Sequence, residues 1–286
     1  MKNILFRLIK EVLPPVILKT LKFCFNFHNN KVWSGNYASW IEAKSKCVGY
    51  DDQIVLEKCS ESLNKIKNGL AIYERDSVIF DKIQYSWGLL SSLQKVALEY
   101  SSKLCVLDFG GSLGSSYYQN KNFLNLGEEL SWCIVEQKHF VDRGKELFES
   151  DKLKFFYNLD DCILHNKPNV ILLSSVLQYL EEPYTWLDRI LKLGIPYIII
   201  DRTAFLEFDT DLLTIQNVPE VIYKASYPSW FFSKEKFLRV LKNYEIILEF
   251  KSDFEINTVV NNNIAVYWQG FLLKRMQLQE NVENMT

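Results

Sequence analysis

The spacing of hydrophobic residues changes near residue 104. Before that point apolar residues recur at the three- to four-residue spacing of a helix. The stretch 77–100 is an example, with apolar positions at Phe80, Ile83, Leu90, Leu93, Val96 and Ala97. The first hundred residues are therefore predicted to form helices and loops.

From residue 104 onward, short apolar runs alternate with helix-like segments. The runs cover residues 104–107, 132–135, 153–157, 170–173 and 197–200. Alternation of this kind is typical of βαβ units and a parallel sheet. Strands that are apolar throughout are expected where helices cover both faces of the sheet.

Two further signals complete the predicted fold. Pro183 suits the first turn of a helix whose C-terminal stop is Gly194. The runs 246–250 and 264–273 lie close together without a long helix between them, which predicts an antiparallel pair at one sheet edge. We expect an α/β, Rossmann-like, mostly parallel sheet in residues 86–276, a helical N-terminal cap in residues 1–85 and a flexible tail in residues 277–286.

Composition excludes several classes of function. The 286 residues are 48% hydrophobic and 24% charged, with a formal net charge of -2 and no arginine-rich stripe, so a nucleic-acid partner is not expected. The six cysteines form no Cys-x-x-Cys pair, and only three histidines occur. We expect reduced thiols and no metal site.

The N-terminus is basic and apolar. Residues 1–27 carry five cationic side chains against the single acid Glu11, but charges interrupt every apolar run. A cleaved signal peptide and a membrane-spanning helix are both excluded by those interruptions. The segment is predicted to be an amphipathic helix that packs on its own domain or, alternatively, lies in a membrane interface. We expect a cytoplasmic protein, with peripheral membrane contact as the alternative.

A glycine-rich turn follows the first predicted strand. It contains Asp108, Gly110, Gly111, Ser112 and Gly114. The dinucleotide pattern Gly-x-Gly-x-x-Gly fails at Ser112 and Ser115, whereas the pattern acid-x-Gly-x-Gly-x-Gly fails only at Ser112. S-adenosylmethionine carries a sulfonium and an ammonium but no phosphate, so an acid in the turn favours it over a dinucleotide.

Acids at later strand ends extend the same interpretation. Glu136 follows the second strand, 22 residues after Gly114, where an acid accepts hydrogen bonds from ribose hydroxyls. The alternative for Glu136 is a solvated carboxylate at a helix start. Asp160, after the third strand, is a weaker candidate for the adenine amino group, and Ser174, at the end of the fourth, completes the predicted cofactor-binding set.

Candidate catalytic residues follow the fourth and fifth strands. Asp201 is the first choice for a general base or substrate anchor, with an ion pair to Arg202 or another cation as the alternative. Gln178 and Tyr179 are further candidates. The charged stretch 74–76 is predicted to be a solvated or helix-capping face. The stretch 227–232 is either an aromatic platform for a sugar ring or a core segment.

Several strings of residues resemble a bacterial family of methyltransferases associated with surface-polysaccharide gene clusters of the O-antigen or capsule type. The strings are 33–40, 49–51, 73–77, 106–119, 135–137, 173–180, 201–203 and 225–232. The resemblance implies a class I methyltransferase fold and an S-adenosylmethionine cofactor. It also implies O-methylation of a sugar or glycan precursor, either a small molecule or lipid-linked.

Two other functions remain open from the sequence. One is a nicotinamide-dependent sugar-modifying enzyme, against which the failed dinucleotide pattern counts. The other is a non-catalytic protein that keeps the fold as a binding module or scaffold.

Overall fold

A computed structural model describes residues 32–48, 52–218, 225–255, 257–261 and 263–276. The predicted amphipathic segment 1–27 and the predicted tail 277–286 lie outside these residues. No helix in the described ranges is long and apolar enough to cross a membrane.

The described residues form strands β1 to β13 and helices α1 to α8. The strands are β1 (Trp33–Ser34), β2 (Tyr73–Arg75), β3 (Val78–Phe80), β4 (Leu104–Phe109), β5 (Leu130–Val135), β6 (Leu153–Phe156), β7 (Val170–Ser174), β8 (Tyr197–Leu206), β9 (Leu212–Asn217), β10 (Ser226–Ser233), β11 (Tyr244–Lys251), β12 (Thr258–Val260) and β13 (Ile264–Arg275). The helices are α1 (Trp40–Ser45), α2 (Asp52–Lys67), α3 (Trp87–Glu99), α4 (Ser115–Leu124), α5 (Lys138–Leu147), α6 (Leu159–His165), α7 (Pro183–Lys192) and α8 (Lys234–Val240).

The central sheet has a parallel core in the order β6-β5-β4-β7-β8. Next to β8 lies β13, which is antiparallel to it, and β11 pairs antiparallel with β13. The predicted class I methyltransferase fold is confirmed by this topology, including the antiparallel pair formed by the last two apolar runs. Helix α7 is also confirmed, with Pro183 in its first turn and Gly194 in the left-handed region at φ +67° after its end.

The fifth strand is longer than the sequence predicts. We expected it to end at Ile200, but β8 continues to Leu206 because its second half finds partners of its own. Beyond the end of β7, β8 pairs with β13 and, through Phe205 and Leu206, with β10. Strands β9 and β1 then extend the sheet on the far side of β10.

The N-terminal region is less helical than expected. The predicted helix over 77–100 begins only at Trp87, and residues 73–80 form the antiparallel β2–β3 hairpin. Strand β1 joins the main sheet by pairing with β9. The periodicity was misleading because the apolar residues Phe80 and Ile83 precede the helix, and Phe80 instead packs against Tyr73 of β2.

Two apolar clusters cover the two faces of the sheet. One contains Leu93, Val106 and Ile134, and the other contains Leu107, Leu173 and Ile198. Neighbouring residues of β4 thus point into opposite clusters, which explains why the strands are apolar at successive positions.

Candidate functional site

Four predicted site residues meet at one edge of the sheet, where β4, β5 and β7 end. We call this the carboxyl edge. Asp108 is the next-to-last residue of β4, Glu136 follows β5 directly, and Ser174 ends β7. Asp201 of β8 is the register partner of Ser174. Ligands bind at this edge in open α/β sheets.

The glycine turn connects β4 to α4 through left-handed backbone. Gly110 has φ +75°, Ser112 φ +53° and Gly114 φ +105°. A side chain on Gly110 would come within 2.4 Å of Val176, so glycine is required both by the backbone angle and by the neighbouring loop. Ser112 also has a positive φ although it carries a Cβ, so its backbone is strained. It is the one position at which the turn departs from the pattern acid-x-Gly-x-Gly-x-Gly.

Asp108 lies beneath this turn and is 1% exposed. Its Oδ2 accepts a 2.9 Å hydrogen bond from the indole N–H of Trp132. A Cβ on Gly111 would lie 2.5 Å from the Asp108 carboxyl carbon, so the turn passes directly over the carboxylate. Burial raises the pKa of Asp108 to about 7; the Trp132 hydrogen bond opposes this, and the charges of Glu136 and Asp201 add to it.

Glu136 is half-buried between the start of α5 and the glycine turn. Its Oε2 accepts a 2.6 Å hydrogen bond from the backbone N–H of Gln137. Burial raises the pKa of Glu136, while the backbone N–H groups of Gln137 and Ser112 and the imidazole of His139 lower it. The Glu136 carboxylate therefore lies between the start of α5 and the glycine turn.

Asp160 is placed in the first turn of α6, where its carboxylate pairs with Arg189 at 2.8 Å and is 75% exposed. Contact with an adenine amino group would require this ion pair to open. The neighbouring Asp161 interacts with Asn158, the residue that caps α6. The paired acids thus take part in helix-start and surface interactions.

Asp201 is 1% exposed, and its carboxylate is bonded by two hydroxyl groups. Ser174 donates to Oδ2 at 2.7 Å, and Ser86, just before α3, donates to Oδ1 at 3.4 Å. Burial raises the pKa of Asp201 to about 6, whereas the Ser174 hydrogen bond and the charge of Arg202 lower it. Asp201 does not form an ion pair with Arg202, because the Arg202 guanidinium pairs with Asp76 and Glu255 instead.

Gln178 links the end of β7 to the middle of β8. Its Nε2 donates to the hydroxyl of Ser175 at 3.1 Å and to the carbonyl of Arg202 at 3.0 Å. Ser175 and Arg202 both have left-handed backbone, at φ +53° and +49°. Gln178 is 1% exposed, and its Oε1 has no hydrogen-bond partner among the described residues. The amide therefore braces two strained residues at the carboxyl edge.

Tyr179 points toward the β9–β10 extension. Its hydroxyl donates to Gln216 at 2.9 Å, and its ring meets the ring of Tyr227 edge-on at 5.2 Å. Within the stretch 227–232, Phe231 and Phe232 are fully buried, which favours the core interpretation for that half of the segment. Tyr227 remains next to Tyr179 at the border of the site.

The charged stretch 74–76 does not form a solvated face. Glu74 is 4% exposed and accepts hydrogen bonds from Ser115, the first residue of α4, and from the backbone N–H of Ser77. The prediction was wrong for Glu74, because the β2–β3 hairpin folds back onto the start of α4, whereas Asp76 is 63% exposed. Burial raises the pKa of Glu74. The only sequence signal for this placement was the resemblance of residues 73–77.

Arg202 of β8 connects the β2–β3 hairpin to the carboxyl edge through an ion pair. Its guanidinium pairs with Asp76 at 2.8 Å and with Glu255 at 2.7 Å, and its side chain is 15% exposed. Cys59 of α2 adds a further contact, with its Sγ 3.2 Å from the hydroxyl of Ser77. None of these partners could be paired from the sequence, since they come from four distant segments.

In the described ranges no group of three or more His, Cys, Asp or Glu side chains is arranged to hold a metal ion. At the carboxyl edge, Arg202 pairs with two carboxylates. Asp108 and Asp201 accept hydrogen bonds from neutral donors.

Comparison with known proteins gives a likeness of fold. No family model and no curated protein matches the sequence. The structure is similar to the N-terminal domain of EvdMO1 with S-adenosylhomocysteine bound, with a TM-score of 0.45, 13% identity, and coverage of 80% of this chain and 98% of that one. It is also similar to the magnesium protoporphyrin IX methyltransferase of Synechocystis PCC 6803 with bound SAM, with a TM-score of 0.42, 13% identity, and coverage of 80% and 99%.

A third similar structure is human N-acetylserotonin methyltransferase in complex with SAM, with a TM-score of 0.44 and 12% identity over 79% of this chain and 57% of that one. At these identities the likeness concerns the fold alone and says nothing about the residues of the site.

Proposed function

We propose that the chain is an S-adenosylmethionine-dependent methyltransferase. The observation that carries the proposal is the convergence of three carboxyl groups at the carboxyl edge. Asp108, Glu136 and Asp201 lie close enough for the last two to raise the pKa of the first. Their hydrogen-bond partners are an indole, a backbone N–H and two hydroxyls, all neutral.

A cationic ligand complements such a site. The ammonium and sulfonium of S-adenosylmethionine offset carboxylates, whereas the pyrophosphate of NAD would add negative charge directly over Asp108. Glu136 is suited to accept hydrogen bonds from ribose hydroxyls, and Gly110, Gly111 and Gly114 let the backbone come close to a ligand. When bound, the cofactor supplies an electrophilic methyl group.

We propose a hydroxyl of a sugar or glycan precursor as the methyl acceptor. The resemblance of residues 106–119 and 225–232 to methyltransferases of surface-polysaccharide gene clusters supports this class. Gln178 and Tyr179, which follow β7, are proposed to border the acceptor. Asp201 acts as the general base through Ser174. The acceptor hydroxyl gives its proton to Ser174 Oγ while Ser174 gives its own to Asp201 Oδ2, 2.7 Å away.

Binding measurements test the cofactor. Isothermal titration of the full chain should detect S-adenosylmethionine and S-adenosylhomocysteine but not NAD or NADP. Glu136→Ala should weaken S-adenosylhomocysteine by roughly 10- to 150-fold, since charge-assisted hydrogen bonds are worth about 1.5–3 kcal/mol. Glu146→Ala, which removes an exposed acid of the neighbouring helix α5, is the matched control and should bind normally. Tight binding of NAD without S-adenosylhomocysteine would reject the proposal.

The proposal extends to the location of the enzyme at the inner face of a membrane. The five basic residues within 1–27 would attract anionic lipid and bring the enzyme to lipid-linked substrate. Sedimentation with anionic vesicles should be strong at low salt and weak at high salt. Equal recovery in the supernatant with and without vesicles at low salt would remove this part of the proposal.

A further inference from the structure

His139 has a buried nitrogen without a partner. The residue is the second of α5 and lies three positions after Glu136, at the carboxyl edge. Its Nε2 is shielded from solvent and makes no hydrogen bond to any described residue. Buried polar atoms are seldom left in this state, and an unpaired one destabilises the protein unless another group bonds to it.

The imidazole belongs to the same corner of the site as Glu136. Burial raises the pKa of that carboxyl, and the neighbouring His139 is among the groups that lower it. The backbone of Ser112 also lies within reach of Glu136. His139, Glu136 and the glycine turn therefore border one region between the ends of β4 and β5.

His165, by contrast, has a hydrogen-bond partner. The Nδ1 of His165 lies 2.8 Å from the carbonyl oxygen of Asp161 in its own helix, a local contact at the surface. The remaining histidine, His28, lies outside the described residues.

We infer that Nε2 of His139 is a hydrogen-bonding contact to the adenosine part of the cofactor. The inference rests on the proposed function. The methionine end of the cofactor carries the positive charge and belongs with Asp108, while the end of β5, where Glu136 and His139 lie, belongs with the nucleoside. Ribose hydroxyls and adenine nitrogens offer both donors and acceptors, so either tautomer of His139 finds a partner there.

Nitrogen-15 resonances of the imidazole rings test the contact directly. The chain contains only three histidines, so its labelled spectrum is simple, and His139→Gln identifies the resonance by its loss. Titration with S-adenosylhomocysteine and with 5′-methylthioadenosine, which lacks the amino-acid end, should shift the Nε2 resonance of His139 in both cases. The resonances of His165 should stay unchanged.

Variants give an independent measurement. His139→Leu should weaken both ligands by about 5- to 10-fold, the effect of one lost hydrogen bond, whereas His139→Gln retains a side-chain N–H and should stay within about threefold of wild type. His165→Leu is the matched control and should bind as wild type does.

The outcomes separate the two proposals. If wild-type protein binds both ligands while the His139 resonance does not move, or while His139→Leu binds normally, the inference is wrong and the proposed function stands. If wild-type protein binds neither ligand, both are wrong. Should His139→Leu fail to fold, the titration of the wild-type resonances still decides the question.

Discussion

The indole N–H of Trp132 in β5 donates a 2.9 Å hydrogen bond to Asp108 Oδ2 in β4, beneath the glycine turn. The bond is fully buried, and in the structure it is the hydrogen bond that lowers the pKa of Asp108 against the effect of burial. With burial and this hydrogen bond acting in opposite directions, the pKa of Asp108 is about 7.

Trp132→Phe should reduce the free energy of unfolding by about 1–3 kcal/mol, because a buried carboxyl loses its donor. The cost should depend on pH. The pKa of Asp108 is raised in the folded state, so its ionisation destabilises the fold as pH rises from about 4, the unfolded value, to about 7. Removing the indole makes ionisation harder still. Urea unfolding should therefore show a larger loss at pH 8 than at pH 5.

Asp108→Asn is the control for that pH dependence. The amide oxygen still accepts the indole N–H but does not ionise, so the variant should gain stability relative to wild type as pH rises from about 4 to about 7, and the difference should level off at higher pH. A pH-independent difference between the two proteins would mean that Asp108 is not the titrating group.

Ser112→Gly should stabilise the protein slightly. Serine at φ +53° costs about 1–2 kcal/mol, and glycine returns about 0.5–1 kcal/mol of this through the entropy of the unfolded chain, leaving a gain of about 0.5 kcal/mol. Ser91→Gly on the exposed side of α3 should instead destabilise the protein by about 0.5 kcal/mol, since the backbone there is helical. Thermal unfolding of both variants checks the contrast, and losses of equal size would contradict it.

Arg202→Met should destabilise the protein by about 2–3 kcal/mol. The guanidinium is 15% exposed and its partner Glu255 is 17% exposed, so removing the cation leaves a largely buried charge unpaired. Asp76 is 63% exposed and adds little. Arg239→Met breaks an exposed pair with Glu235 and should cost at most about 0.5 kcal/mol. Chemical denaturation measures both, and similar costs would show that the Arg202 network is not stabilising.

Asp201→Asn should lower methyl transfer by about 100-fold or more while S-adenosylhomocysteine still binds nearly normally. Ser174→Ala should have a similar effect, because the proposed proton path passes through its hydroxyl. Methyl transfer is measured with S-adenosylmethionine that carries a tritiated methyl group and a glycan extract of the source cells as acceptor. Binding of S-adenosylhomocysteine is measured by calorimetry. Unchanged transfer in Asp201→Asn would exclude its role as the base.

The glycine turn illustrates how much of the site is local in sequence. Asp108, Gly110 and Gly114 could be assigned to a strand-end turn because glycine spacing and a preceding apolar run are properties of neighbouring residues. Glu136 could be placed beside them because parallel strands of one sheet bring their carboxyl ends together. The antiparallel pair of β11 and β13 was likewise predicted from two apolar runs that lie close together in the sequence without a long helix between them.

The β2–β3 hairpin illustrates what is not local. Glu74 was expected in a solvated face, yet it is buried against Ser115, and Asp76 reaches Arg202, 126 residues away. The continuation of β8 past Ile200 likewise depends on β10 and β13, which come later in the chain.

The sequence by itself determined the order of strands and helices from β4 to β8, the glycine turn and the acids at the strand ends, since hydrophobic period and backbone preference are encoded within a few residues. Only the tertiary structure decided the partners of those acids. Burial, desolvation and hydrogen bonding between distant segments set the states of Asp108, Asp201 and Glu74, and these depend on which surfaces meet when the chain has folded.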